Sequence, residues 1–341
     1  MRIGVLSWFV VALVAAPAAA TEGRQPSPLR GSTLGSRTGL RLVVAGKPPF
    51  VVDVDSGRVA PLRGVRSPRR GSVSVLGVGG RSAVVLVDAR YRHADLSGIR
   101  GNGPRVASLG TGSDAAPGAD GRSVLVKSFL SDRCTLRQVT LDGRPIRTAY
   151  AFPCASTIQG AGSAGLVVNR TRLIDPRSGR TLLRTRWGVL AAGGRKLVLA
   201  GPNDTFVVQD TTTGARRSLP WPQTIGRLDR PAADPRGRFV ALAFANPAWK
   251  LGSRQVLDVW LLDLETMRLT HVPGMPVFVS LKSTSMTWTD DGRLVLLAKR
   301  TDRRDAVAVW RPGRRRLAVK TLHLPPGRVD ESGSDSFAVV R

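Results

Sequence analysis

The sequence predicts an all-β protein, a β-propeller of about seven four-stranded blades, with six blades as the alternative. Three observations support this fold class. A glycine turn followed by a basic residue and an apolar run recurs along the chain, and a second turn that begins with Asp recurs between those runs. Helical periodicity is nearly absent. Together these patterns indicate a chain of short strands joined by tight turns.

The first recurring signal is a glycine followed by Arg and then by β-branched and aliphatic residues. Glycine supplies the positive φ of a tight turn, and the apolar run is typical of a buried strand. The copies are Gly80–Leu86, Gly121–Val126, Gly194–Leu199, Gly237–Leu242 and Gly292–Leu297. Gly80 and Gly292 are 212 positions apart, which five steps of about 42 residues fill, with one poorly marked blade near 160–165. This period suits a propeller blade, which needs about 40 to 45 residues.

The second recurring signal is an Asp that is followed four positions later by Gly. It occurs at Asp53–Gly57, Asp175–Gly179 and Asp210–Gly214, and Asp263–Met267 is a degenerate copy. The Asp carboxylate can accept hydrogen bonds from backbone N–H groups downstream, while the Gly takes the left-handed conformation. We therefore expect these segments to join pairs of antiparallel strands.

The third observation is that no long run carries apolar residues at i, i+3, i+4 and i+7. Two β-sandwiches would also be all-β, but they do not predict a repeat of this length. The predicted blades are 38–65, 72–110, 114–153, 155–187, 188–222, 226–275 and 284–324, within a single domain of residues 38–341. Residues 336–340 are predicted to form a last strand that returns to the first blade and closes the ring, which removes exposed sheet edges.

The first 20 residues have the pattern of a secretory signal peptide. A charged start, an apolar run and the small residues Pro17–Ala20 follow one another, which favours cleavage after Ala20. An uncleaved membrane anchor is the alternative, because the apolar run approaches the length of a bilayer span. No later segment is long and apolar enough to span a membrane. We therefore expect a protein secreted or held in the cell envelope, with residues 21–37 as a flexible leader.

The chain contains two cysteines, Cys134 and Cys154. In an oxidising compartment an even pair is more often a disulfide than two free thiols. Folding the chain back about the turn 142–145 places residue 134 opposite residue 153, so Cys154 is one position away. The sequence therefore predicts a structural disulfide between Cys134 and Cys154, worth about 3 kcal/mol in the chain-entropy model.

The formal net charge is +28, and most of the cations are arginines spread over the whole chain. Such a field attracts anionic surfaces and polymers, and the attraction is expected to weaken with salt. The alternative is an Arg-rich proteome that uses Arg wherever a surface needs a charge. Nucleic-acid binding has only the net charge in its favour, and export argues against it.

The segment 231–244, continued by 257–266, resembles the WD-like repeat of TolB-type propellers, and 286–294 repeats the same opening. The resemblance is good over these last two blades and fades towards the N-terminus. It implies a propeller fold and a binding role rather than a reaction. The chain departs from TolB because no helical domain precedes the blades, so the envelope partners of TolB do not carry over.

Candidate binding residues must lie between strands, because the blades bury the rest of a propeller. The insertion 246–253 places Trp249 and Lys250 on a loop, where an aromatic ring beside a cation could stack on a ring or a sugar. Trp221, between two prolines, is a further candidate. For both tryptophans the alternative is a side chain that packs against its own blade.

The sequence predicts no catalytic constellation, metal site or cofactor. The three histidines are on three different blades, and the aspartates lie mostly at glycine turns, where a structural role is expected. The predicted function is an exported, non-catalytic binding module that recognises a protein or an anionic cell-envelope polymer. The alternative is a propeller hydrolase or lyase for a glycan or peptide, with carboxylates assembled from several blades.

Overall fold

The computed structural model shows seven antiparallel sheets. It describes residues 27, 29–65, 71–90, 93–101, 105–130, 133–224, 226–229, 231–246, 256–279, 286–300, 304–325 and 337–341. In each sheet the strands follow one another in chain order from the axis outward, with three exceptions. The last strand of the chain enters the first sheet, Ser32–Thr33 adds in parallel to the outer edge of the last sheet, and Val277–Phe278 pairs with the third strand of the sixth. The sheets are the blades of a propeller.

The first four blades use the chain from residue 41 to residue 184. A short strand, β1 (Ser32–Thr33), precedes them. Blade 1 contains β2 (Arg41–Val44), β3 (Phe50–Asp53) and β4 (Val59–Pro61), and blade 2 contains β5 (Ser72–Val78), β6 (Ser82–Arg90), β7 (His93–Arg100) and β8 (Arg105–Gly112). Blade 3 contains β9 (Asp114–Pro117), β10 (Ser123–Leu130), β11 (Arg133–Thr140) and β12 (Pro145–Phe152). Blade 4 contains β13 (Ile158–Gly160), β14 (Leu166–Val168), β15 (Arg172–Ile174) and β16 (Thr181–Arg184).

The remaining blades follow the same order. Blade 5 contains β17 (Val189–Gly193), β18 (Lys196–Ala200), β19 (Thr205–Asp210) and β20 (Arg216–Pro220). Blade 6 contains β21 (Arg227–Leu228), β22 (Ala232–Ala233), β23 (Phe239–Asn246), β24 (Val256–Asp263), β25 (Arg268–His271) and β26 (Val277–Phe278). Blade 7 contains β27 (Met286–Trp288), β28 (Leu294–Lys299), β29 (Asp305–Trp310) and β30 (Ala318–Leu322), and the last strand is β31 (Phe337–Val340). The only helical segment in the described ranges is a 3₁₀ turn, Gly162–Ala164.

The ring is closed by the last strand of the chain. β31 pairs antiparallel with β2, with Ala338 opposite Val43, and so supplies the innermost strand of blade 1. The innermost strands of neighbouring blades contact one another around the ring, and β31 contacts both β27 and β5. The predicted propeller and its closing strand are confirmed, and the number of blades is seven rather than six.

The hydrophobic core is divided into seven clusters, one at each junction between neighbouring blades. β10 shows why the strands after the glycine turns are continuously apolar. Val124 and Val126 pack in the cluster between blades 2 and 3, whereas Leu125 points into the cluster between blades 3 and 4. A strand that is covered on both sides needs apolar residues at successive positions.

The two recurring turn signals lie at the same end of the propeller. The Gly-Arg turns, such as Gly80–Arg81, follow the innermost strand of a blade, and the Asp-to-Gly turns, such as Asp175–Gly179, join its third and outermost strands. Since alternate strands of an antiparallel sheet run in the same direction, both sets of turns belong to one end, which we call the turn face. The opposite end, the connection face, carries the turns between second and third strands and the links between blades.

The prediction of a flexible leader at 21–37 is wrong from Leu29 onward. Leu29 is 2% exposed, and β1 pairs in parallel with Ala318 and Val319 at the outer edge of blade 7. Gly31 lies so close to the Leu317 carbonyl oxygen that a Cβ would be 2.4 Å from it. The segment is ordered because it covers the exposed edge of β30 with hydrogen bonds and apolar contacts.

The predicted disulfide is confirmed. Cys134 and Cys154 are bonded, with their Cα atoms 5.0 Å apart. Cys134 lies opposite Phe152, one residue from the predicted position. Val139 pairs with Pro145 beside the turn, and two irregularities between Leu136 and Val139 then move the register of β12 by two residues toward the prediction. The bond ties blade 3 to the link that leads into blade 4.

Candidate functional site: the axial channel and the connection face

A channel runs along the axis of the propeller and forms a cavity of about 1140 Å³. Its wall consists of the innermost strands and the turns that follow them. Most of the lining residues are small, among them Gly77, Ala115, Gly160 and Ala192. Because these residues project little or no side chain toward the axis, the channel stays open and could receive a ligand.

Two of the aspartates that line the channel belong to blade 3 and bond to nearby backbone. At the connection-face end, the Asp114 Oδ2 atom accepts a hydrogen bond of 3.0 Å from the backbone N–H of Ile158. Burial raises the pKa of the Asp114 carboxyl, and the backbone N–H groups and Lys127 oppose that effect. At the turn face, Asp120 accepts bonds from the N–H groups of Arg122 and Ser123. Burial by itself would raise the pKa of Asp120, but these hydrogen bonds hold it below its usual value.

The other two channel aspartates lie at the turn face on blades 6 and 7. Asp234 is 4% exposed, and its Oδ1 atom is buried without a hydrogen-bond partner. Burial raises the pKa of Asp234, against the hydrogen bond from the N–H of Arg236. Asp290 forms ion pairs with Arg81 at 3.3 Å and with Arg341 at 3.1 Å. The four carboxylates come from three blades and from both ends of the channel.

The arrangement does not assemble a reaction centre in the described part of the chain. Glycosidase or peptidase chemistry needs two carboxylates, or a nucleophile and its base, that face one substrate atom. Here Asp120 and Asp290 are held by their own turns and by arginines, and Asp114 is bonded to backbone. In the same ranges no group of three or more His, Cys, Asp or Glu side chains could hold a metal ion.

The structure places Trp221 at the connection face, in the link between blades 5 and 6. Its ring stacks on Phe206 with centroids 5.6 Å apart and meets Phe244 edge-on at 5.8 Å. The backbone N–H of Trp221 donates to the Asp204 carbonyl. The indole Nε1 atom is buried and has no hydrogen-bond partner. The ring is thus half-buried against the junction between two blades, and part of its area remains at the surface.

Trp249 and Lys250, the other predicted ligand-binding residues, lie outside the described residues. They fall between the end of β23 at Asn246 and the start of β24 at Val256. These two strands are the second and third of blade 6, so both ends belong to the connection face, where Trp221 is also found. The prediction that Trp249 and Lys250 contact a ligand stays a prediction.

A polar cluster beside Trp221 was missed by sequence reasoning. The buried carboxylate of Asp258 accepts hydrogen bonds from the Thr224 hydroxyl at 2.9 Å and the Trp260 indole at 3.3 Å, and its Oδ1 atom is 2.5 Å from His271 Nε2. The Thr224 hydroxyl donates to the carboxylate and not to the imidazole, so the three side chains do not have the nucleophile–imidazole–carboxylate order of a catalytic triad. The cluster fixes the link between blades 5 and 6. The sequence does not predict this cluster, because Asp258 and His271 come together only through the pairing of β24 with β25.

The positive charge is unevenly neutralised around the ring. Residues 155–222, which form blades 4 and 5, contain ten Arg and Lys and three Asp. All residues of this range are described, and no side-chain salt bridge occurs within it. At the junction of blades 7, 1 and 2, in contrast, Asp290 and Asp291 pair with arginines from several parts of the chain.

No protein-family model matches the sequence, and no curated protein matches it. Among solved structures, a chain of the mitotic checkpoint complex is 15% identical, with a TM-score of 0.51, and the alignment covers 91% of this chain and 99% of that chain. TolB from Acinetobacter baumannii is 11% identical, with a TM-score of 0.48, and 88% of this chain covers 66% of TolB. The similarity is one of fold.

An acylaminoacyl peptidase from Pyrococcus horikoshii has a TM-score of 0.50 and 13% identity, and 87% of this chain covers 52% of the peptidase. This chain therefore spans about half of that enzyme. The predicted propeller fold is confirmed by the seven sheets of the structure, and solved structures with a TM-score of 0.50 or more share that fold. The fold alone does not separate binding from catalysis, because it also occurs in a peptidase.

The described residues contain no helix with the length and hydropathy needed to cross a membrane. The predicted signal peptide, residues 1–20, lies outside them.

Proposed function

We propose that this protein is an exported, non-catalytic binding module that holds an anionic polymer of the cell envelope on the connection face of its propeller. The observation that supports this most is a group of four arginines at the connection-face end of blade 4, Arg170, Arg172, Arg184 and Arg186, none of which forms a side-chain salt bridge with a described residue. Cations that have no acidic partner among the described residues are available to pair with an external polyanion. A folded protein as partner is the other outcome of the test below.

Two further features support binding rather than a reaction. The channel carboxylates are engaged by turns or arginines, or lie alone, as Asp234 does. Trp221 lies at the same face as the facing ends of β23 and β24, between which Trp249 and Lys250 occur in the sequence, so the proposal assigns these aromatic and cationic groups to one surface. Such groups bind sugars and anionic substituents by stacking and by charge-assisted hydrogen bonds.

The export step is tested by expressing the full-length chain and determining the N-terminus of the protein outside the cytoplasm. We expect Thr21 as the first residue, because the small residues before it suit a signal peptidase. A mature protein that begins at Met1 and remains with the membrane fraction would support the uncleaved anchor instead.

The binding step is tested by co-sedimentation of the exported protein with isolated cell-envelope material across a salt series. Binding that falls steeply between low and physiological salt would support an anionic polymer, because counterions are released on association. Salt-resistant binding that is lost after protease treatment of the envelope would show a protein partner and overturn the polymer. No binding under any salt condition would overturn both.

The face is tested by Trp249→Ala and Lys250→Ala, with Ile146→Ala as the control. Ile146 is an exposed apolar residue, 43% accessible, on the outermost strand of blade 3. Loss of a contacting Trp or Lys should weaken binding about tenfold, since each such contact is worth about 1 to 2 kcal/mol. Unchanged binding in both variants would exclude this part of the connection face.

A further inference from the structure

Four arginines lie together at the connection-face end of blade 4. Arg172 begins β15 and Arg184 ends β16, and the two residues are direct cross-strand partners. Arg170 lies in the turn before β15, and Arg186 lies in the link after β16. Side chains of directly opposite residues project from the same side of a sheet, and both Arg172 and Arg184 line one depression at this end of the blade.

This pair of like charges has no acidic partner. The three acids of blades 4 and 5 are Asp175, Asp204 and Asp210, and none forms a side-chain salt bridge in this fully described range. Asp175 and Asp210 bond to their own turns at the opposite, turn face. Directly opposite like charges destabilise a pair of strands. No acidic side chain of this range neutralises the repulsion between the two arginines. An anionic ligand that binds between them would do so.

A depression of about 320 Å³ lies over the arginine pair. It is lined by Val168, Asn169, Thr171, Arg172, Arg184 and Thr185. The hydroxyl of Thr171 donates to the Asn169 carbonyl, and the hydroxyl of Thr185 donates to backbone carbonyls. The threonine hydroxyls therefore donate within the fold, and the side-chain donors that remain for the depression are the guanidinium N–H groups and one N–H of the Asn169 amide.

The flanking arginines are held in place by the fold. Asn169 and Arg170 have φ values of 51° and 61°, the left-handed conformation of a tight hairpin turn. The Arg170 carbonyl accepts the N–H of Val189, and its guanidinium lies over Gly188, where a Cβ would come within 3.6 Å of it. Arg186 stacks on Trp187, with its Cζ atom 4.1 Å from the ring centroid. Each of these two exposed arginines thus has a contact within the fold, and each is two residues along the chain from a member of the pair that lines the depression.

We propose that this end of blade 4 is a binding site for a phosphate group, and that Arg172 and Arg184 are its primary ligands. The phosphate would belong to a phosphodiester polymer of the cell envelope, and this part of the proposal rests on the proposed function. One guanidinium fork fills the plane of the two carboxylate oxygens, whereas the two non-bridging oxygens of a phosphodiester lie at tetrahedral angles and can each accept from a different guanidinium. A phosphate also places its negative charge between the two cations.

The site itself is tested with inorganic phosphate, at a constant ionic strength maintained with sodium chloride. Thermal unfolding of the intact protein should shift upward with phosphate. The variant Arg172→Gln/Arg184→Gln should lose that shift and should weaken phosphate affinity at least tenfold. The matched control, Arg177→Gln/Arg180→Gln, removes two exposed arginines from the turn-face end of the same blade and should keep it. The proposal fails if the first variant still responds to phosphate or if both variants lose the response equally.

The stability of the ligand-free variant is a second test of whether the two arginines are structural. Since Arg172→Gln/Arg184→Gln removes repulsion between like charges, its unfolding midpoint without phosphate should be no lower than that of the unchanged protein. A large drop would show that the two arginines are structural and would contradict a site built for a ligand.

The source of the phosphate is tested by binding to soluble poly(glycerol phosphate), to a polyuronate of similar length, and to vesicles of phosphatidylglycerol and phosphatidylcholine. Tightest binding to poly(glycerol phosphate), lost in Arg172→Gln/Arg184→Gln, supports the proposal. Equal binding to the polyuronate overturns the preference for phosphate, and tighter binding to the vesicles overturns the polymer as source. If the variant still co-sediments with the envelope, the phosphate site is overturned and the proposed function stands. If the phosphate response depends on Arg172 and Arg184 but the protein does not bind the envelope, the site stands and the proposed function is overturned.

Discussion

Two groups of arginines in this propeller are used in opposite ways. At the junction where the ring closes, Arg81, Arg293 and Arg341 bond to the neighbouring carboxylates of Asp290 and Asp291. At the connection-face end of blade 4, Arg172 and Arg184 lie opposite each other with no carboxylate to bond. The residue type is the same, and only the position of the nearest acid differs.

The closing junction shows what a structural arginine does here. Burial favours the neutral form of Asp291, but hydrogen bonds from Arg293 and Thr289 and the charge of Arg341 lower its pKa to about 2. The backbone N–H of Arg341 donates to the Arg81 carbonyl, which ties the last residue of the chain to blade 2. These arginines stabilise the fold through their ion pairs, and that structural role is sufficient to explain them. The pair on blade 4 has no such ion pair, so the same explanation does not apply to it.

The largest effect on the closing junction is expected from Gly80→Ala. Gly80 has a φ of 69°, and a Cβ there would lie 2.4 Å from the Asp290 backbone nitrogen. The strained conformation and the clash together should cost about 3 kcal/mol or more of unfolding free energy. Gly57→Ala is the matched control, because Gly57 has a φ of 73° with open space around it, and should cost only about 1 kcal/mol. Urea unfolding that gives equal losses would show that blades 2 and 7 do not need this close approach.

A smaller, pH-dependent effect is expected from Asp291→Asn. Because the folded pKa of Asp291 is about 2, below the ordinary value of 3.8, its stabilisation is present above pH 3.8 and lost as the pH falls toward 2. At pH 7 the variant should be less stable by about 1 kcal/mol, after allowance for solvent screening. The difference should narrow between pH 4 and pH 2, which denaturant unfolding over a pH series would measure. A loss that is the same at pH 7 and at pH 2 would assign the effect to packing.

The control for that series is Asp142→Asn. Asp142 pairs with Arg100, and both side chains are half exposed. Exposed ion pairs contribute about 0 to 1 kcal/mol, so this change should have little effect at any pH in the series.

The smallest effect, and the one of opposite sign, is expected from Arg184→Gln on blade 4. Removal of one of two directly opposite cations should raise the unfolding free energy by about 0.2 to 1 kcal/mol at low salt. The gain should disappear at high salt, because exposed charges are screened. Arg217→Gln is the control, since Arg217 lies opposite Val208 and faces no like charge across the strand. If Arg184→Gln is less stable than the unchanged protein, Arg184 stabilises blade 4, as the arginines of the closing junction stabilise that junction.

Much of the fold could be predicted because its signals are local. Gly121 and Asp175 act through their own turns, and the apolar runs act through their own strands, so the blades, the closing strand and the Cys134–Cys154 bond followed from short segments. The packed segment at Leu29 was missed because its partner, β30, lies almost 290 residues away. Asp258 and His271 were missed for a related reason, since their contact depends on the register of two strands.

The sequence by itself determined the propeller, its period and its charge, because turn conformation and strand burial depend on residues close together in the chain. Only the tertiary structure decided which arginines are neutralised. Asp290 and Arg341 meet because ring closure brings blades 7, 1 and 2 together, and Arg172 and Arg184 meet because of the register between β15 and β16. Charge pairing depends on distances through space, and these distances are set by the closed ring and not by separation along the chain.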